Sequence, residues 1–381
     1  MSSPLAPEML DHIVDQMRDD PTTLKTCCLI SKSWIQRTQK LLFTDVDFCA
    51  SGPRLESWKN AFPDSANSPA HHTRSLSIRH PHLIKAADAN TMLTFSGVEC
   101  LDVITCAYRD ERVSLAPLHG FSSVLRSLYL SFISLPDSEI FGLVCSFPLL
   151  DDLTLVSLGR GQRRVEWNAP STSPRLAGSL KLETVFEGIQ SITRRLLDLP
   201  NGIHFTKIAV PWLSEEDVKS TMDLVLRCAD TLQSLDIMSH RSGTSPSLSP
   251  IPGCDSPPRV DPSESIGIDL SQVSTLREAV FRCGGLRAEW IIRTLHNTEP
   301  RNLQRLSLEL PRYSDIEDAV WETVHQEWLD LDSLLVQFWV SHSLRLKVMS
   351  MPEMGEEDLR DYVTMFLPEM TERGIIDLAM F

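Results

Sequence analysis

Leu125-Arg126-Ser127-Leu128-Tyr129-Leu130 is followed 25 positions on by Leu150-Asp151-Asp152-Leu153-Thr154-Leu155. Both stretches read L-x-x-L-x-L. That spacing puts the last two leucines on one face of a short strand and leaves the first to anchor its start. Between them, residues 136–147 carry Ile140, Phe141, Val144 and Cys145 at helical spacing, behind an Asp or Ser suited to a cap. The unit is strand, turn, helix, strand. Working back, Val98-x-x-Leu101-x-Val103 and Leu76-x-Ile78 fit the same template. The central positions step by 25 from Leu76 to Leu101, by 27 to Leu128 and by 25 to Leu153.

Working forward, residues 180–185 offer a weak strand, Phe205-x-x-Ile208-x-Val210 a fair one and Leu232-x-x-Leu235-x-Ile237 a strong one. Leu276-x-x-Ala279-x-Phe281, Leu303-x-x-Leu306-x-Leu308 and Leu344-x-Leu346-x-Val348 continue the series. Ser214-Glu-Glu-Asp-Val218 resembles a capping box and predicts a helix whose buried side carries Val218, Met222, Val225 and Leu226. Further helices are predicted over residues 286–296 and from Ser314, with Val320, Trp321, Val324, Trp328 and Leu331; residues 333–340 continue that helix or start another. Acidic Gly355-Glu-Glu-Asp358 opens a last one, to about Met370. Residues 241–265, rich in Ser-Pro and Pro-Pro, predict a flexible insertion whose Ser-Pro steps suit a proline-directed kinase.

Units of this length resemble leucine-rich repeats, and right-handed parallel crossovers at such a period imply a curved solenoid with outer helices. The Asn or Cys that usually follows each strand is not regular: Ser131-Phe132 and Val156-Ser157 stand there instead.

The N-terminus reads differently. Pro7 suits a first helical turn, Leu10, Ile13, Val14 and Met17 share a helical face, and Asp19-Asp20-Pro21 is a breaker before Thr22, the expected cap of a second helix. That helix carries Leu24, Cys27, Cys28, Leu29 and Ile30, and Trp34 with Ile35 extends the apolar side. So few apolar groups make a poor independent core, so part of this surface must be completed by the rest of the chain or by a partner.

Leu5, Pro7-Glu8, Leu10, Ile13, Leu24, Cys28-Leu29-Ile30-Ser31, Trp34 and Leu42-Phe43 together resemble the F-box, in the version common in large fungal families. Ala6 departs from the pattern, because the family has Leu and Pro adjacent. The resemblance implies docking onto a Skp1-type adaptor, and through it a cullin, in a ubiquitin ligase. It places Leu5, Pro7, Glu8, Leu10, Ile13, Leu29, Ile30 and Trp34 on or behind the docking surface. The expected fold class is thus α/β. A helical F-box-like module over 1–48 and a connector over 49–73 with Trp58 and Phe62 in a short helix lead to an irregular repeat solenoid over 74–350 and a helical cap over 351–381.

Composition narrows the function. The chain has 381 residues, 42% of them hydrophobic, which is ample for a core. A formal net charge of -15 with no long basic run excludes a general nucleic-acid binder. Met1-Ser-Ser-Pro does not open a signal peptide and no run approaches a membrane span, so a cytoplasmic or nuclear protein is expected. Nine cysteines without a C-x-x-C pair fit reduced thiols. His71-His72, His80, His82, Cys100 and Cys106 match no zinc spacing, and no metal or cofactor is expected.

No G-x-S-x-G, Walker, dinucleotide or H-E-x-x-H motif is present, and Asp151-Asp152 and Glu215-Glu216 have structural readings beside a strand and at a helix start. A receptor without catalytic residues follows, acting by raising the local concentration of a bound protein substrate. Outward strand positions, foremost Arg126, Tyr129, Asp152, Gln233, Asp236 and Arg305, are the expected substrate contacts. The other reading is a repeat scaffold outside any ligase, its N-terminal helices merely capping the first repeat. The identity of the substrate is not written in the sequence.

Overall fold

The computed structural model describes residues 7–30, 32–49, 54–79, 84–104, 115–131, 137–156, 172–183, 189–212, 215–239, 267–283, 288–298, 302–310, 321–342, 344–349 and 356–379. The architecture is mixed α/β with parallel strands, and the chain divides into two compact units, Met1–Leu176 with Leu199–Asn201, and Ala177–Asp198 with Gly202–Phe381.

The first unit opens with α1 (Pro7–Asp15), α2 (Pro21–Ile30) and α3 (Lys32–Leu42). Pro7 and Pro21 stand where a helix has no use for an N–H donor. The cap of α2 is Asp20 and not Thr22: its Oδ1 accepts from the N–H groups of Thr22 and Thr23, both at 3.0 Å, and its Oδ2 accepts the Thr23 hydroxyl at 2.6 Å. A carboxylate reaches two free donors at once and carries the charge that a helix start favours. Val14, Leu24, Cys27 and Thr38 are buried between the helices, and Arg37 of α3 donates Nε and Nη2 to Asp15 of α1 at 2.7 and 2.5 Å.

Next come β1 (Asp45–Phe48), α4 (Leu55–Ala61), β2 (Ser75–Arg79), α5 (Ala89–Met92), β3 (Cys100–Ile104), β4 (Ser127–Ser131), α6 (Asp137–Cys145) and β5 (Asp152–Val156). Strands β1 to β5 pair in chain order, all parallel. The register turns the sequence template into stacked rows: Leu76, Leu101, Leu128 and Leu153 in one, Ile78, Val103, Leu130 and Leu155 in the next. Every member is at most 1% exposed. Strand β1 is absent from the sequence reading, since Asp45-Val-Asp-Phe48 lacks the leucine anchor. Its pairing with β2 binds the end of the helical stretch into the sheet. Phe43, Phe48, Trp58, Phe62 and Phe95 close that end of the core, with ring centroids 4.9 to 5.9 Å apart.

The second unit contains β6 (Ser179–Glu183), α7 (Gln190–Leu197), β7 (Lys207–Trp212), α8 (Glu215–Arg227), β8 (Ser234–Ser239), β9 (Glu278–Cys283), α9 (Glu289–His296) and β10 (Arg305–Glu309). It ends with α10 (Trp321–His342), β11 (Arg345–Met349), α11 (Glu356–Phe366), α12 (Pro368–Glu372) and β12 (Ile376–Ala379). Strands β6 to β12 also pair in parallel and in chain order. Ile208, Leu235, Ala279, Leu306 and Leu346 form one buried row, and Val210, Ile237, Phe281, Leu308 and Val348 the next. Residues 333–340 continue α10 as a single helix of 22 residues.

Three features of this unit depart from the sequence reading. Helix α7 and strand β12 are additional elements, the strand lying within the stretch read as a helical cap. Leu226 of α8 is 38% exposed, because the buried face runs through Asp217, Thr221, Leu224 and Cys228, with polar groups in places that a hydrophobic pattern does not mark. Those groups are satisfied: Asp217 accepts the Ile189 N–H at the start of α7 at 2.8 Å. The insertion read at 241–265 and the helix start at 314–317 lie outside the described residues.

Candidate docking surfaces

In the N-terminal helices, Leu29 and Ile30 at the end of α2 are 88% and 64% exposed, and Met9 of α1 is 54% exposed. Glu8 is exposed, while Ile13 and Trp34 are half-buried. Pro7 opens α1 and Leu10 lies on it; Leu5 is outside the described residues. The inward side is occupied by its own small core, where Cys27 Sγ lies 3.7 Å from Met17 Sδ and Cys28 Sγ 2.9 Å from Thr38 Oγ1. Leu29 and Ile30 therefore face away from what holds the helices together. Met9 was not singled out by sequence, since its place beside Leu10 gives it no periodic signal.

The strand faces divide by unit. In the first, Tyr129 and Asp152 are half-buried on β4 and β5, with Tyr129 in register between Asp102 and Thr154. Burial, and then the nearby Asp47, push the Asp102 carboxyl above the usual range. Arg126 is exposed, but its guanidinium lies 3.2 Å from Asp151. In the second unit, Asp236 is not a free acid: Arg282 donates Nε and Nη2 to its two oxygens at 3.1 and 2.9 Å. That contact raises the Arg282 pKa above its ordinary value. Arg305 lies 3.2 Å from Glu278, and Gln233 is exposed at the start of β8. Ser307, an outward position by alternation, is buried.

The residues just before the strands form a further row in each unit. In the first unit it reads Arg74, Glu99, Arg126, Asp151, stitched by backbone bonds of 2.8 Å from Glu99 N to Arg74 O, Arg126 N to Glu99 O and Asp151 N to Arg126 O. Its charges pair off, Arg74 with Glu99 at 3.6 Å and Arg126 with Asp151 at 3.2 Å. In the second unit the corresponding row is Gln233, Arg277, Gln304, with Arg277 N to Gln233 O and Gln304 N to Arg277 O both 2.9 Å. A cleft of about 260 Å³ opens there, lined by those three residues with Ser274, Thr275 and Asn302.

The rings of His71 and His72 lie with centroids 3.9 Å apart and planes tilted by 49°, and desolvation, then the neighbouring His71, lower the His72 pKa. His80, His82 and Cys106 lie outside the described residues. Among the described residues no group of three or more His, Cys, Asp or Glu is placed to hold a metal ion, and six cysteines are free thiols. Also among the described residues, no helix is long and apolar enough to cross a membrane. Comparison with protein-family models finds no match to this chain, and comparison with curated proteins finds none.

Proposed function

We propose that this chain is a substrate receptor of a Skp1-cullin-F-box ubiquitin ligase, docking through its N-terminal helices and holding a protein substrate on a leucine-rich-repeat-like solenoid. The observation that carries the reading is the exposure of Leu29 and Ile30 at the end of a helix whose other face is already packed. Two adjacent aliphatic side chains in water cost free energy that a docking partner recovers. The stacked rows of Leu76, Leu101, Leu128 and Leu153 support the repeat reading. In this role the chain supplies no acid, base or nucleophile; it brings a substrate near a charged E2, an effect of effective concentration.

A second reading, a repeat scaffold outside any ligase, draws support from the pairing of β1 with β2 and from the aromatic cluster around Trp58, which join the helices to the sheet. A pull-down with a purified Skp1-type adaptor separates the two. Leu29→Asp and Ile30→Asp keep the helical circular dichroism and weaken adaptor binding by at least about tenfold if these side chains are docking anchors. A folded wild-type protein that does not bind the adaptor leaves the scaffold reading in place.

A further inference from the structure

We infer that the cleft at the starts of β8, β9 and β10 is a receptor site for a single carboxylate group, held by Arg277 between the carboxamides of Gln233 and Gln304. Adjacent parallel strands stand about 4.8 Å apart, so the three side chains occupy neighbouring rungs, with the guanidinium in the middle. Among the described residues Arg277 makes no ion pair and no side-chain hydrogen bond, although it is exposed at a position where the first unit pairs every cation. The nearest acid along the chain, Glu278, is engaged by Arg305 at 3.2 Å. One guanidinium offers two parallel N–H donors that match a carboxylate, and the flanking amides donate to its remaining lone pairs or bond the peptide groups beside it. A single cation balances a monoanion, whereas a phosphate dianion calls for a second cation, and none lines the cleft among the described residues. Asn302 is held on the Ser274 carbonyl and Thr275 Oγ1 bonds the Leu232 carbonyl at 2.7 Å, so the floor is ordered before any ligand arrives.

The ligand class is therefore an acidic peptide, presenting either a chain-terminal carboxylate or an Asp or Glu side chain. The test uses the full chain without adaptor and four acetylated Gly-Ser hexapeptides: one with a free C-terminus, one amidated with an internal Glu, one amidated with a phosphoserine and one amidated and neutral. Binding is followed by titration calorimetry for every variant and, where Arg277 is present, by NMR at the arginine Nε–H groups. At least one carboxylate peptide gives a saturable shift at Arg277 and the neutral one does not; which of the two carboxylate peptides binds identifies the source of the group. Arg277→Gln abolishes the binding. Gln233→Glu gives Arg277 an internal partner, as in the first unit, and weakens it by at least about tenfold with the circular dichroism unchanged. The inference is overturned if neither carboxylate peptide binds, if the phosphoserine peptide binds tightest, or if either variant binds like wild type. None of these outcomes bears on adaptor docking.

Discussion

Asp332 shows how much one buried carboxylate does here. It sits 1% exposed on α10 and accepts the Glu369 and Met370 N–H groups at 2.6 and 3.1 Å, satisfying the first donors of α12. Burial raises its pKa above the ordinary 3.8, outweighing the two N–H bonds that pull it down. The folded state therefore holds this proton more tightly than the unfolded one. Stability from this group is fully present below pH 3.8 and falls as pH rises toward the folded value. Urea titrations of wild type and Asp332→Asn between pH 4 and 7 test it: wild type loses stability relative to the variant as pH rises. At the low end the variant is weaker by about 1 kcal/mol, because an amide accepts only one of the two bonds. Thr22 and Asp20 teach a related lesson in the other unit. Both are good caps by type, and only the fold of the Asp19-Asp20-Pro21 breaker decides which one reaches the free donors.

At the scale of elements, the rows carry the stability. Leu128 is fully buried with Leu101 and Leu153 in register on either side, so Leu128→Ala leaves a cavity and costs about 3 kcal/mol. Leu149→Ala, at a leucine 46% exposed, changes stability by less than about 0.5 kcal/mol. Denaturant midpoints of the two variants measure the contrast. The end of α12 is a Schellman turn: Gly374 has φ +66°, its N–H meets Thr371 O at 2.9 Å, and Ile375 N–H meets Met370 O at 3.2 Å. Gly374→Ala puts a Cβ on a left-handed residue and costs about 1 kcal/mol, read as a lower thermal midpoint. Strands with the full L-x-x-L-x-L template were legible from sequence because a parallel strand buried on its inner face repeats the same anchors. Strand β1 has only Val46 and Phe48 to show, and α7 hides buried Thr193 among Arg194 and Arg195, so neither carried a signal.

For the whole molecule, charge sets the terms of association. A net charge of -15 predicts that the protein passes through a DNA-agarose column at pH 7 even in about 50 mM salt, where counterion release would hold a basic protein. Retention there would contradict the expectation that the chain is no general nucleic-acid binder. The division into two compact units falls near residue 176, inside the stretch that reads as one run of repeats. Local periodicity does not register it, because the same strand template recurs on both sides.

The sequence by itself determined the strands from β2 to β11, their parallel order and the small helical start, since hydrophobic spacing and turn residues act over a few neighbours. Only the tertiary structure decided which polar groups are free. Asp236 reads as an exposed acid until Arg282 is found across the sheet, and Arg126 as an open cation until Asp151 is seen beside it. Arg277 is the reverse case, an ordinary surface residue by sequence whose rungs on either side hold glutamines and not acids. Such neighbours are set by strand register between residues 25 or more positions apart, and no local pattern encodes them.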